Sequence, residues 1–132
     1  MKTLRDSYLA ELNTGIIILD NSLRVASINS SALSILDTSE MSAVGNKIDQ
    51  IFYEEPDSFK RFSSSLSEHR GFTKTDALLH LKQGRKALCD YSVHPISEES
   101  QEGLLIEIIN KETTSELIER YRMQSNQQIS QD

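Results

Sequence analysis

Three segments in the second half of the chain, residues 72–82, 85–96 and 104–109, are separated by short polar stretches and have the residue patterns of β-strands. Residues 72–82 alternate between apolar and polar side chains, which is typical of a strand with one buried face. Residues 104–109 are nearly all apolar, which is typical of a strand at the centre of a sheet. Connections this short predict antiparallel pairing, because parallel strands need long crossovers.

The two connections between these strands have different predicted structures. Gln83-Gly84 predicts a tight turn, whereas residues 97–103 predict an exposed acidic loop. Pro95 has no N–H to donate to a neighbouring strand, so it predicts the end of the strand that starts at Arg85.

Alternation predicts two faces for the strand 72–82: Ala77, Leu79 and Leu81 on one, and Lys74, Asp76, Leu78 and His80 on the other.

The first half of the chain predicts a β-hairpin followed by short helices. Ile16–Leu19 is short and rich in β-branched residues, and Arg24–Ile28 alternates. Asp20-Asn21-Ser22 supplies a turn between them. Asn29 or Ser30 then predicts the N-cap of a short helix.

A second predicted helix lies directly before the three strands. Pro56 suits the first turn of a helix, and Gly71 is predicted to end it. The residues at helical spacing on its inner face are Phe59, Phe62, Leu66 and His69.

The two ends of the chain are predicted to be helical. Residues 1–12 form an amphipathic helix whose apolar stripe contains Leu4, Tyr8 and Leu12, and this stripe is a candidate dimer contact. Residues 112–132 are predicted to form an exit helix or linker, or one half of a coiled coil. Residues 13–111 between them are predicted to be the folded core. The candidate residues through which the chain leaves the core are Glu112, Thr113, Leu117 and Tyr121.

Composition limits the functions open to this chain. A length of 132 residues with 37% hydrophobic and 26% charged residues fits one folded domain. The net charge of −6 and the absence of a basic run predict no nucleic-acid partner. The sequence has no apolar run of the roughly 20 residues that cross a bilayer, so no membrane association is predicted. Cys89 is a lone cysteine, which fits a cytoplasmic protein.

The order of predicted elements, two strands, several short helices and three long strands, resembles the PAS family. Residues 15–20 together with Ile28–Ala32 resemble the opening of a PAS core, and Val44–Ile48 resembles the glycine-containing step that follows. Thr113 stands where many PAS domains carry Asp-Ile-Thr, although Lys111-Glu112 precedes it here. The resemblance implies an α+β fold, with a five-stranded antiparallel sheet, short helices on one face, and a helix at each end.

A narrower resemblance is to the N-terminal sensor domains of the NtrB nitrogen-regulation histidine kinases, over residues 12–120. It is carried by the hairpin 15–29, Val44-Gly45, residues 71–73, Gly84-Arg85 and the stretch from Gly103 to Glu107.

This narrower resemblance implies a two-component signal-transduction role in a cytoplasmic homodimer. Such kinases phosphorylate the NtrC response regulator and are switched by the PII signal protein. The phosphoacceptor motif of the kinase, His-Glu followed by a proline, does not occur in the sequence, nor does its ATP-binding domain. The chain itself is therefore predicted to be no enzyme but a regulatory domain that supports dimerisation and relays a signal.

A small-molecule pocket between sheet and helices is a further candidate site. The residues predicted to line it are those that a filled core would also use: Leu33, Leu36, Phe59, Phe62, Leu79 and Ile106.

The remaining candidates are predicted to be structural. His69, His80 and His94 fall on separate elements, and Cys89 lies among apolar residues of a strand. No cofactor and no metal are therefore predicted. A haem- or flavin-binding PAS sensor is the alternative, with His69 as the haem candidate. The acid pairs Glu54-Glu55 and Glu98-Glu99 are predicted to be solvated surface groups.

Overall fold

The computed structural model describes residues 14–54 and 58–111 of the chain. The predicted terminal helices, with Leu4, Tyr8, Leu12, Glu112, Thr113, Leu117 and Tyr121, lie outside the described residues, as does Pro56. The described elements, in chain order, are β1 (Thr14–Leu19), β2 (Val25–Ile28), α1 (Ser30–Ile35), α2 (Glu40–Ala43), a 3₁₀ turn (Ile48–Gln50), α3 (Ser58–Glu68), β3 (Phe72–His80), a second 3₁₀ turn (Lys82–Gly84), β4 (Lys86–Glu98) and β5 (Gln101–Asn110).

The strands form one antiparallel sheet in the order β2-β1-β5-β4-β3. The apolar strand β5 lies at its centre, as its composition predicts. It pairs with β1, where Ile17 lies opposite Ile106, and with β4, where Val93 lies opposite the same residue. Buried side chains alternate along all three strands and point to one face, where the helices lie and where the core forms.

Asn29 ties the first helix to the first strand. Its side-chain Oδ1 accepts from the Ala32 N–H at 2.9 Å, which makes it the N-cap of α1, and also from the Ile16 N–H at 2.9 Å. Its Nδ2 donates to the Thr14 carbonyl oxygen at 3.1 Å. A single side chain therefore satisfies three backbone groups of two elements, and the predicted cap is confirmed.

The end of α3 differs from the prediction. His69, and not Gly71, takes the left-handed conformation that ends the helix, with φ of 56°. The Arg70 N–H bonds to the Ser65 carbonyl oxygen at 3.2 Å, the six-to-one bond of a Schellman ending. Gly71 is needed for another reason, since a Cβ there would lie 2.6 Å from the Val93 carbonyl oxygen.

A bulge in β3 changes which residues face the core. The pairing with β4 shifts between Lys74 and Ala77, and Asp76 has φ of 54°. Ala77 and Leu79 are buried as predicted, but the extra residue reverses the alternation before them. Lys74 therefore faces the core side, and its predicted place on the outer face is wrong.

The connection between β4 and β5 is a tight hairpin and not the predicted loop over 97–103. Only Glu99 and Ser100 separate the strands, and both have positive φ, 49° and 68°, as a type I′ turn requires. β4 also continues past Pro95, which lies opposite Leu104. The proline is tolerated because β3 begins opposite Val93, so β4 has a strand on only one side beyond that point.

The described helices are short, and none is long and apolar enough to cross a bilayer.

Candidate functional site

A carboxylate is buried against strands β3 and β4. Glu54 is 7% exposed, and its Oε1 accepts a hydrogen bond of 2.8 Å from the Tyr91 hydroxyl. The Lys74 ammonium lies 3.1 Å from the other oxygen, Oε2. A buried charge is strongly destabilising unless it is paired and hydrogen-bonded, and both oxygens of Glu54 meet that condition.

The Tyr91 hydroxyl remains protonated over the physiological range. Burial raises the pKa of this hydroxyl far above its usual value, and its hydrogen bond to the Glu54 carboxylate raises it further. Tyr91 therefore acts as a fixed donor to Glu54. Such a group is a poor general acid or base at neutral pH, because its pKa lies far above 7.

Four aromatic rings fill the space beside this carboxylate. Phe62 on α3 packs against Phe52, Phe72 and Tyr91, with ring centroids 6.1–6.2 Å apart. Phe72 meets Tyr91 edge-on at 6.0 Å. Offset and edge-on rings at these separations attract one another, so the cluster fixes α3 on the sheet.

The six residues predicted to line a pocket do come together. All belong to the core or pack against it: Leu36, Phe62, Leu79 and Ile106 are buried, and Leu33 and Phe59 are half-buried. A groove with a volume of about 480 Å³ lies at the surface between α3 and β3, and none of the six residues lines it. The predicted internal pocket stays a prediction, and this surface groove was not expected.

The three histidines lie on separate elements, as predicted. His69 follows α3 and faces Glu102 at 3.4 Å, and His94 on β4 faces Glu107 at 3.5 Å. His80 stacks on Tyr53 with ring centroids 4.7 Å apart. Within the described ranges, no three histidine, cysteine or acidic side chains converge as a metal site would require. Cys89 is fully buried on β4, in the packing role its apolar surroundings predict.

The fold is similar to that of several solved structures. The structure is similar to the crystal structure of the PAS domain of nitrogen regulation protein NR(II) from Vibrio parahaemolyticus, with a TM-score of 0.65 and 20% identity over 83% of this chain and 99% of that one. It is also similar to the PAS domain of an HTR-like protein from Haloarcula marismortui, with a TM-score of 0.56 and 16% identity over 80% and 93% of the two chains. The structure is similar, too, to a PAS domain from a two-component sensor histidine kinase, with a TM-score of 0.61 and 8% identity over 80% of this chain and 91% of that one.

The chain has the PAS fold. The predicted fold class, a five-stranded antiparallel sheet with short helices on one face, is confirmed. The sequence matches no protein-family model and no curated protein.

A charged cluster lies where the PAS core ends. Lys111 follows β5 directly, and its ammonium lies 2.6 Å from Asp76 in the β3 bulge and 3.6 Å from Asp90 on β4. The Asp90 carboxylate also accepts the Asp76 N–H at 2.9 Å, and the Lys111 N–H bonds to the Leu88 carbonyl oxygen at 2.9 Å. Three strands are thereby connected at the point where the chain leaves the sheet.

Sequence reasoning missed the buried ion pair of Glu54 and Lys74. The predicted solvated surface position of Glu54 is wrong, because the residue is buried against Tyr91 and Lys74. Glu98 and Glu99 are exposed, as predicted. One signal was available in the sequence: Tyr91 lies at an inward position of an alternating strand, and a buried tyrosine hydroxyl needs an acceptor.

Proposed function

We propose that this chain is the sensory and regulatory domain of a two-component nitrogen-regulation histidine kinase, where it dimerises and relays a signal to the helices that follow. The observation that carries the relay is the Lys111 cluster. Because β5 is the central strand and ends directly before Lys111, a shift of β3 or β4 reaches the exit through Asp76 and Asp90. The nitrogen-regulation role rests on the similarity to the NR(II) PAS domain.

The outer face of the sheet supports the proposed dimer. Side chains that point away from the core include Ile18, opposite Leu105, and Ile109, opposite Thr14. Ile109 is 51% exposed and Leu78, on the same sheet, is 43% exposed. Apolar side chains on this face are a suitable surface for the predicted stripe of Leu4, Tyr8 and Leu12, in the same chain or in a second copy.

The proposed partners are a second copy of the chain and, in the full-length protein, the downstream kinase helices toward which the exit segment 112–132 leads. The PII signal protein and the NtrC response regulator are proposed partners of the whole kinase, and no residue of this domain is assigned to them. The domain itself has a regulatory role and no catalytic one, and its location is proposed to be the cytoplasm.

Light scattering on the 132-residue chain, with an absorption spectrum, tests this proposal. We expect a colourless dimer that becomes a folded monomer in the double variant Leu4→Asp, Tyr8→Asp. Met41→Asp is the control, because Met41 is 95% exposed on α2, away from the outer sheet face, and should leave the dimer intact. A monomer at high concentration contradicts the proposed dimer, and a visible absorption band favours the cofactor sensor instead.

A further inference from the structure

The surface groove between α3 and the start of β3 has an unusual charge for this protein. The chain carries a net charge of −6, yet the charged residues that line the groove are three cations, Lys60, Arg61 and Arg70, and one acid, Glu68. In an acidic protein, such a site concentrates anions locally.

The helix and the segment after it form two walls of this groove. Residues spaced four apart on α3 lie on one face of the helix, so Lys60, Ser64 and Glu68 follow one another along the wall. The opposite wall begins at Arg70 and ends at Thr73. Hydroxyl and backbone groups therefore lie next to the cationic side chains, as they do in sites that bind oxygen-rich anions.

The two arginines differ from the paired cations of the domain. Arg85 is paired with Asp37, Lys74 with Glu54 and Lys111 with Asp76. Within residues 14–54 and 58–111, neither Arg61 nor Arg70 has a carboxylate within ion-pair distance.

The groove is held in place before any ligand arrives. The Arg61 guanidinium stacks on the Phe72 ring at 6.0 Å, which restrains this long side chain. The Ser65 hydroxyl donates to the Arg70 carbonyl oxygen, and the Arg70 N–H returns a bond to the Ser65 carbonyl oxygen. Both walls are thus joined through Ser65, which is buried. Preorganised sites lose less conformational entropy on binding.

From these observations we propose that the groove binds a small organic anion with two or more phosphate or carboxylate groups. Guanidinium groups bind such oxygens through two parallel hydrogen bonds, and two of them suit a ligand with two anionic groups. The volume of about 480 Å³ is that of a small-molecule site. This inference goes beyond the proposed relay function and does not depend on it.

An NMR titration of the 132-residue chain with citrate and with pyrophosphate, at constant ionic strength, tests the proposal. We expect saturable shifts of the amides from Arg70 to Thr73, with a dissociation constant on the order of 1 mM or below for at least one probe. Acetate, a monoanion, should bind at least about tenfold more weakly, since it engages one guanidinium only.

Two variants distinguish a site from general charge attraction. Arg70→Gln should weaken binding of the favoured probe at least about tenfold, because it removes a charge-assisted hydrogen bond. Lys86→Gln, an exposed cation on β4, is the matched control and should leave binding unchanged. Arg61→Gln should also weaken binding. Because this variant exposes the Phe72 ring as well, its effect has two causes, and Arg70→Gln is the decisive variant.

Three results would overturn the proposal. The first is the absence of saturable amide shifts with either probe up to about 20 mM, a range that covers weak millimolar binding. The second is an equal loss of affinity in Arg70→Gln and Lys86→Gln. The third is binding of a poly-glutamate peptide at this groove when neither small anion binds.

Discussion

The Lys111 ammonium lies 2.6 Å from the Asp76 carboxylate, so the last residue of the described core is joined to the bulge of the edge strand β3. The hydrogen bond to Asp76 raises the pKa of Lys111, which therefore keeps its positive charge throughout the physiological range. Asp76 occupies the left-handed region, with φ of 54°, a conformation that aspartate adopts more readily than most residues.

Neutralising this pair should loosen the exit of the chain without unfolding the domain. In Lys111→Gln we expect the Lys111 position to exchange its amide hydrogen several-fold faster, because the bond to Leu88 loses the support of the ion pair. The measurement is native-state hydrogen exchange, with Ile108 as the internal reference on the same strand. Asp49→Asn, at an exposed carboxylate of the first 3₁₀ turn, is the control. Unchanged exchange at position 111 would show that the pair does not restrain the exit.

The bulge also shows why the sequence predicts some parts of this fold better than others. Strict alternation predicts that Ala77 and Leu79 face the core, which is confirmed, and that Lys74 faces away from it, which is wrong. The strand accommodates an extra residue at Asp76, where the carboxylate meets Lys111 and the N–H meets Asp90, 35 and 14 positions away. Local periodicity carries no information on partners so distant.

Features that depend on neighbouring residues were predictable. The Asn29 cap, the hairpin of β1 and β2 and the central position of the apolar β5 follow from local sequence. Glu54 was not predictable from its position before Glu55 and Pro56, because its burial depends on Lys74 and Tyr91, which are 20 and 37 positions away.

Alkaline pH should destabilise the domain through Tyr91. Burial raises the pKa of its hydroxyl in the folded state, so above about pH 10 the unfolded chain releases a proton that the folded chain retains. Stability from this group is complete below that pH and decreases as the pH rises further. Urea unfolding between neutral and alkaline pH measures the effect.

Tyr91→Phe should remove this part of the pH dependence. It should also lower the stability at neutral pH by about 1–3 kcal/mol, since the Glu54 carboxylate loses a hydrogen bond in a buried place. Tyr53→Phe is the matched control, because Tyr53 is 49% exposed and its substitution should leave the alkaline profile as it is. Identical profiles for Tyr91→Phe and the parent chain would exclude Tyr91 as the source.

Substitution of Asn29 should separate its role as a cap from its role as a donor. Asn29→Ala removes every side-chain bond to Thr14, Ile16 and Ala32, and we expect a loss of about 1–2 kcal/mol in the free energy of unfolding. Asn29→Asp keeps the acceptor for the two N–H groups and replaces the donor to Thr14 with an oxygen that can only accept, so the loss is confined to this one contact and should be smaller. Equal destabilisation by both variants in a urea titration would mean that the hydrogen bond to Thr14 dominates.

Glycine at position 69 should stabilise the domain. His69 ends α3 with φ of 56°, a region that glycine enters without steric penalty, so His69→Gly should raise the free energy of unfolding by about 1 kcal/mol. The substitution also removes the pairing of His69 with Glu102, but both groups are exposed, so this pairing contributes little to stability.

The matched control for this substitution is His94→Gly. His94 also faces an exposed acid, Glu107, but lies inside β4, where glycine is unfavourable. The two variants should therefore change the urea midpoint in opposite directions although each removes a histidine from a similar pair. Destabilisation by both variants would mean that losing the histidine–acid pair costs more stability than the glycine gains. The left-handed conformation of His69 would then not be a source of strain after α3.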